Sequence, residues 1–241
     1  MNNWKFTLKY QPQYLSTQLS SLDRIMGGGM HRANLTLIYG EANTGKSSLA
    51  LQCAVISARK NLKTIIIDSD NTFSPTRLSQ IANYDLDYIS PLIFIFKPRS
   101  FHEQLLLIEN LDDYISDDVV MIIVDTITSL YRLELGKIDK IFSLNRNLNR
   151  QIAYLAKIAK THNIAVLIIS QVRDVFKNGK QKIEPVANRV LKFWAQTILN
   201  PRITNNPAIR EILLEKHSIP KNIDTRCLFL LSKTGLIDLD I

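Results

Sequence analysis

Apolar positions follow two rhythms along this chain. Short unbroken runs at Leu35–Tyr39, Thr64–Asp68, Leu92–Phe96, Val119–Asp125 and Ala165–Ser170 are rich in β-branched or aromatic residues. Apolar on both faces, they fit central parallel strands buried between two layers. Between them, near 48–60, 76–83, 101–115 and 141–161, apolar residues recur at helical spacing with polar residues opposite. Strand and helix alternate, which predicts an α/β fold with a mostly parallel central sheet flanked by helices. The tail changes character. Thr197–Leu199, Arg210–Lys216 and Cys227–Leu231 read as strands with no helix long enough between them, predicting an antiparallel C-terminal extension of the sheet. No repeat, low-complexity tract or linker divides the 241 residues. One domain over 1–241 is expected, with 1–20 as an N-terminal segment and a core burying about 70–75% of the unfolded surface.

Ligands of such sheets gather at the carboxyl ends of the strands. Gly40, Asp68 with Asp70, Lys97, Asp125 and Gln171 stand there. Gly40 opens Gly40-Glu41-Ala42-Asn43-Thr44-Gly45-Lys46-Ser47, which satisfies G-x-x-x-x-G-K-[ST] between a strand and a helix that continues from Ser48. That context aims backbone N–H groups and the positive end of the helix dipole at one anion. Nucleotide contacts are therefore expected from Gly40, Glu41, Asn43, Thr44, Gly45, Lys46, Ser47 and Ser48. Lys46 would reach the β/γ-phosphates and Ser47 would ligate Mg²⁺. Asp125 closes an apolar strand, where an acid beside a phosphate loop serves the nucleotide's Mg²⁺. Asp68 or Asp70 could orient the attacking water, although an Asx turn into the next helix explains the same residues. An amide at Gln171 could bond the γ-phosphate and report its presence to the following loop.

Composition narrows the setting. No run of 18 apolar residues and no signal-peptide core occur, so a soluble, cytoplasmic protein is expected. Cys53 and Cys227 read as small buried hydrophobes, and the four histidines lack metal-ligand spacing. The net charge of +8 is uneven: residues 170–226 hold eleven Lys/Arg against five Asp/Glu, or +6. A local excess of that size suggests a polyanionic partner, with a solvated charged face as the plain alternative.

Several blocks in order carry a resemblance: Leu15-Ser16-Thr17, Ser21-Leu22-Asp23, Gly27-Gly28-Gly29, the phosphate loop, Ile67 to Leu78, Asp125-Thr126 with Ser129-Leu130-Tyr131-Arg132, Ser170-Gln171-Val172 and Leu214-Glu215-Lys216-His217. Through nearly its whole length the chain resembles the RecA/RadA recombinase ATPases, and within them the short archaeal RadA paralogues called RadB. The resemblance implies a RecA-like P-loop core that binds ATP and Mg²⁺. It implies Arg77 as the arginine stacked on adenine, Gln171 as γ-phosphate sensor, and catalytic roles for Lys46, Asp70 and Gln171. The segments after Asp125 and after Gln171 look like DNA-binding loops, which assigns Arg132, Lys137, Lys140, Arg173, Lys177, Lys180 and Lys182 to DNA. Phe176 is a candidate for base stacking or packing.

Three departures from the family pattern bear on function. Asp70 aligns with a catalytic glutamate and is one methylene shorter, so its carboxylate retracts by more than about an ångström. Slow hydrolysis follows, since small misplacement can cost about a hundredfold. The helix–hairpin–helix domain of full RadA and a Phe-x-x-Ala motif are absent from this sequence. Lys216-His217-Ser218 lacks the arginine two residues after the lysine, which leaves Lys216 to pair with Glu215 or solvent. The reading is an ATP-dependent, single-stranded-DNA-binding accessory of homologous recombination and repair that modulates a RadA recombinase. It is a weak DNA-dependent ATPase, nucleoid-associated, with a homo-oligomer left open. The rivals are an oligomeric ATPase of the KaiC/DnaB type and a nucleotide-stabilised protein-interaction module.

Overall fold

Nine strands make one sheet in a computed structural model that describes residues 12–136, 141–177, 180–217 and 225–239, with backbone alone for 176, 177 and 180–182. The phosphate-loop strand β3 (Leu35–Tyr39) lies inside the sheet. Beside it on one side run β7 (Ala165–Ser170), β6 (Val119–Asp125), β4 (Lys63–Asp68) and β5 (Ile93–Phe96), all parallel. On the other side lie β10 (Thr197–Ile203), β11 (Ile209–Lys216), β12 (Arg226–Ser232) and β13 (Gly235–Asp238). Outside the sheet, β1 (Tyr14–Leu15) pairs with β2 (Met30–His31), and β8 (Val172–Lys177) forms an antiparallel hairpin with β9 (Lys180–Pro185).

Alternate residues of the apolar runs feed two cores. Ile66, Ile123, Leu167 and Ile169 face a core shared with α1 (Ser20–Ile25), α2 (Lys46–Arg59), α3 (Pro75–Ala82) and α4 (Leu86–Ile89). Ile65, Ile67, Ile122, Val124, Val166 and Ile168 face the other way. That second core is shared with α5 (Phe101–Glu109), α6 (Ser129–Glu134), α7 (Ile141–Thr161) and α8 (Asn188–Trp194). Burial on both faces is why these strands read as unbroken apolar runs rather than as alternation.

Local chemistry sets the helix ends. Ser74 caps α3 by accepting from the Arg77 N–H at 3.1 Å, with Pro75 at the first turn. Ser100 accepts from the Glu103 N–H, and Glu103 reaches back to the Arg99 N–H, a reciprocal cap on α5. The helix expected over 101–115 stops at Glu109, where the Asn110 amide turns back onto the Leu106 carbonyl at 2.8 Å and a 3₁₀ turn follows. Leu92 belongs to a 3₁₀ turn led by Pro91, so β5 starts one residue later than its apolar run.

The tail contains more than the apolar pattern foretells. β10 runs parallel to β3, and the antiparallel part begins at β11. The stretch after Gln171, expected as loop, is a hairpin followed by α8. Asp23, in the motif after Thr17, accepts from the Ser16 hydroxyl and from the Thr17 N–H and hydroxyl. Ser21 donates its N–H and hydroxyl to Asp238, fastening α1 to the last strand. Among the described residues no helix is long and apolar enough to cross a membrane.

Candidate nucleotide site

Tyr39, at the end of the buried strand β3, delivers the chain to the phosphate loop. Gly40 has no room for a side chain, because a Cβ there would stand 2.5 Å from the Pro201 carbonyl oxygen of β10. Asn43 and Gly45 take positive φ (61° and 93°), which curls the loop and starts α2 at Lys46. Thr44 is buried and its hydroxyl donates to the Glu41 carbonyl at 2.9 Å, holding the curl. Arg210 of β11 supports the rim by donating to the Asn43 carbonyl at 3.1 Å. The Lys46 ammonium folds over this loop, donating to the Glu41 carbonyl and to Thr44 Oγ1 at 3.4 Å. Burial lowers its pKa, and Asp125 and Glu41 oppose that shift.

Opposite Lys46 stands a row of acids. Asp68 and Asp125 end neighbouring strands in register, and Asp70 follows two residues later. Burial raises the Asp125 pKa to about 6, the Ser47 hydroxyl bond lowers it, and nearby Asp70 and Asp68 raise it further. The Lys46 charge opposes that rise.

Asp68 and Asp70 differ in what they touch. The buried Asp68 accepts from the Thr72 and Phe73 N–H groups, both at 3.0 Å, and lies 3.4 Å from the Lys97 ammonium. It braces the turn that leads to α3, through N–H groups four and five residues on rather than the two residues on of an Asx turn. Asp70 faces the site: its Oδ2 accepts from the Thr126 hydroxyl at 3.3 Å and from Gln171 Nε2 at 3.4 Å. The other end of the Gln171 amide accepts from Arg132 Nη1 at 2.6 Å.

Arg77 reaches the start of α2, donating to Ser48 Oγ at 3.2 Å and to the Lys233 carbonyl at 2.7 Å. Between it and Asp125 lies a cavity of about 160 Å³ with Ala50, Leu51, Ile66 and Ile123 as apolar floor and Phe73 as wall. Lys46, Ser47, Ser48, Asp70, Arg77, Asp125 and Gln171 thus stand around one end of the sheet. Arg173 is exposed on β8. Lys137 and Lys140 lie outside the described residues, as do the side chains of Phe176, Lys177, Lys180 and Lys182.

On the other flank of the loop, Tyr39, Glu41, Asp174, Glu184, Lys192, Arg202 and Glu215 line an open cleft of about 840 Å³. Tyr39, Lys192 and Asn200 converge on Glu215. Despite its burial, these three donors and the Lys192 charge hold the carboxyl below its ordinary pKa. Burial and Glu215 together push the Tyr39 hydroxyl well up. Lys216 is not the partner of Glu215 that its position suggests. Side chains alternate along β11, so its ammonium turns away and donates to the Lys192 and Ala195 carbonyls at the end of α8. Lys192 and Asn200 gave no motif in the sequence, and Glu215 entered only within the block Leu214-Glu215-Lys216-His217, as a partner for Lys216. Their convergence on one carboxylate is visible only once β10 is known to pair with β3 and β11 with β10.

A family model described as Rad51 matches residues 11–239. The chain is 34% identical over 200 residues to the DNA repair and recombination protein RadB of Methanosphaera stadtmanae, covering 82% of this chain and 85% of that one. It is 31% identical over 229 residues to the protein of the same description from Methanococcoides burtonii, covering 95% and 100%. A solved structure, described as the crystal structure of the RadB recombinase, superposes with a TM-score of 0.79 at 31% identity, covering 94% of this chain and 100% of that one.

Proposed function

Because the chain belongs to the Rad51 family, we propose that it binds Mg-ATP at the carboxyl end of its sheet and single-stranded DNA through the segments after β6 and β7. It acts on this reading as an accessory of a RadA-type recombinase in homologous recombination. Kinship to RadB proteins described by their role in DNA repair and recombination supports that process for this chain.

One observation carries the reading. Gln171 closes the gap between the phosphate site and the hairpin, with its amide on Asp70 and its next residue opening β8. A group so placed responds to a γ-phosphate and passes the response to a basic segment, which is how a nucleotide orders a binding loop. Lys46 then holds the β/γ-phosphates, Arg77 lies at the base, and the phosphate loop from Gly40 to Ser48 supplies N–H donors.

The donor set fits Mg²⁺. Ser47 and Asp125 offer hard oxygens, and Mg²⁺ commonly takes one or two protein ligands and completes its shell with phosphates and water. Among the described residues no group of three or more His, Cys, Asp and Glu forms a metal site by itself. The bound ion would neutralise phosphate charge, and the acid row around Asp125 is the part of this chain that would answer it. Asp70 orients water from a retracted position, so hydrolysis is slow and ATP works mainly as a switch. Lys216, engaged by carbonyls of its own chain, favours an accessory over a motor that relies on a subunit-bridging cation.

The test is strand exchange by a RadA-type recombinase with and without this protein, and with its Lys46→Ala variant. A change in exchange rate that needs Lys46 supports the reading. An equal rate in all three reactions refutes the accessory role.

A further inference from the structure

Three side chains from separate segments form a line from the surface to the phosphate site. Arg132, exposed on α6, donates to Gln171 Oε1 at 2.6 Å. Gln171 Nε2 donates to Asp70 Oδ2 at 3.4 Å, and the Thr126 hydroxyl donates to that same oxygen at 3.3 Å. The charged bond is the short one, and an Oε1 fixed on a guanidinium obliges Nε2 to face the other way. The Gln171 backbone is anchored separately, its N–H on Thr128 Oγ1 and its carbonyl on the Val186 N–H. What remains free to change is the side chain.

In this arrangement the two groups best placed to meet a γ-phosphate and its attacking water are engaged with each other. We infer that Arg132 is a positioning residue that holds Gln171 and Asp70 as a resting pair, and that a DNA phosphate drawing its guanidinium away releases both toward the nucleotide. This rests on the nucleotide-and-DNA reading above. An anionic phosphate is a stronger acceptor for a guanidinium than a neutral amide oxygen, so the exchange runs in the required direction. A basic residue after β6 looks like a simple DNA contact in the sequence. The geometry makes it the link between the two sites.

The experiment measures kcat and KM for ATP hydrolysis, with and without an oligo-dT strand. It compares the wild type with Arg132→Ala, Arg132→Lys and Gln171→Ala. Losing the hold should raise the DNA-free kcat of Arg132→Ala by about threefold, the size of one modest hydrogen bond. Its KM should stay near the wild-type value, and DNA should add nothing further. Arg132→Lys should recover part of the DNA response, and Gln171→Ala should stay slow in both conditions. A DNA-free kcat unchanged or lowered in Arg132→Ala, beside a wild type that DNA still stimulates, overturns the inference and leaves the functional reading standing. No binding of a fluorescent ATP analogue to the wild type overturns both.

Discussion

Tyr39, the last residue of the strand that enters the phosphate loop, donates its hydroxyl to Glu215 across 2.6 Å. The bond ties the loop's base to β11, two strands away in the sheet. Tyr39→Phe removes one of several donors to Glu215 and should cost about 1 kcal/mol in urea unfolding at pH 7.

Glu215 gives that network a pH signature. Its folded pKa is depressed, so its contribution to stability is complete above the ordinary glutamate range and is lost as pH falls through the folded value. Unfolding measured from pH 7 down to 3 should show the wild type losing an acid-sensitive component that Glu215→Gln lacks. Parallel curves for the two proteins would contradict the network.

Asp125 has the opposite sign. Its folded pKa is raised to about 6, so the folded state binds the proton more readily than the unfolded chain. The nucleotide-free protein should therefore gain stability as pH falls from about 6 to about 4, and carry a penalty above that window. Asp125→Asn should make the nucleotide-free protein more stable at pH 7.5 by about 1–3 kcal/mol. The same substitution should abolish stabilisation by Mg-ATP. A variant less stable than wild type without ligand would show that the acid row is well compensated.

The phosphate loop predicts a sharper split. Lys46→Ala should leave the unliganded melting temperature within a few degrees. It should remove the rise seen with Mg-ATP, which at a hundredfold excess over Kd corresponds to about 2.7 kcal/mol. Gly40→Ala should destabilise the protein itself by about 1–3 kcal/mol, because the Pro201 carbonyl occupies the space of the new methyl.

Much of this was legible in the sequence, and particular residues show why. Leu35 and Leu37 serve one core and Ile38 the other, so the run reads as a strand buried on both faces. The loop and α2 announce themselves through Gly45, Lys46 and Ser47. β8 and β9 do not, because an outlying two-stranded ribbon of mixed charge has no apolar face to alternate. The parallel pairing of Thr197, Ile198 and Leu199 with β3 is a long-range choice that local pattern does not encode. It hid Asn200 and Lys192 from view. The sequence offers Arg132 as a DNA contact, but its bond to Gln171 depends on how two distant segments meet.

Nucleotide should set the affinity for single-stranded DNA, which fluorescence anisotropy with a labelled oligo-dT measures. Binding would be measured without nucleotide, with ADP, and with a non-hydrolysable ATP analogue plus Mg²⁺, across a salt series. Binding should be tightest with the analogue, and the affinity should fall with salt. Lys180→Ala/Lys182→Ala should show a shallower salt slope, by about one to two counterions. Affinity identical in all three nucleotide states, or no DNA binding in any of them, would contradict that control by nucleotide.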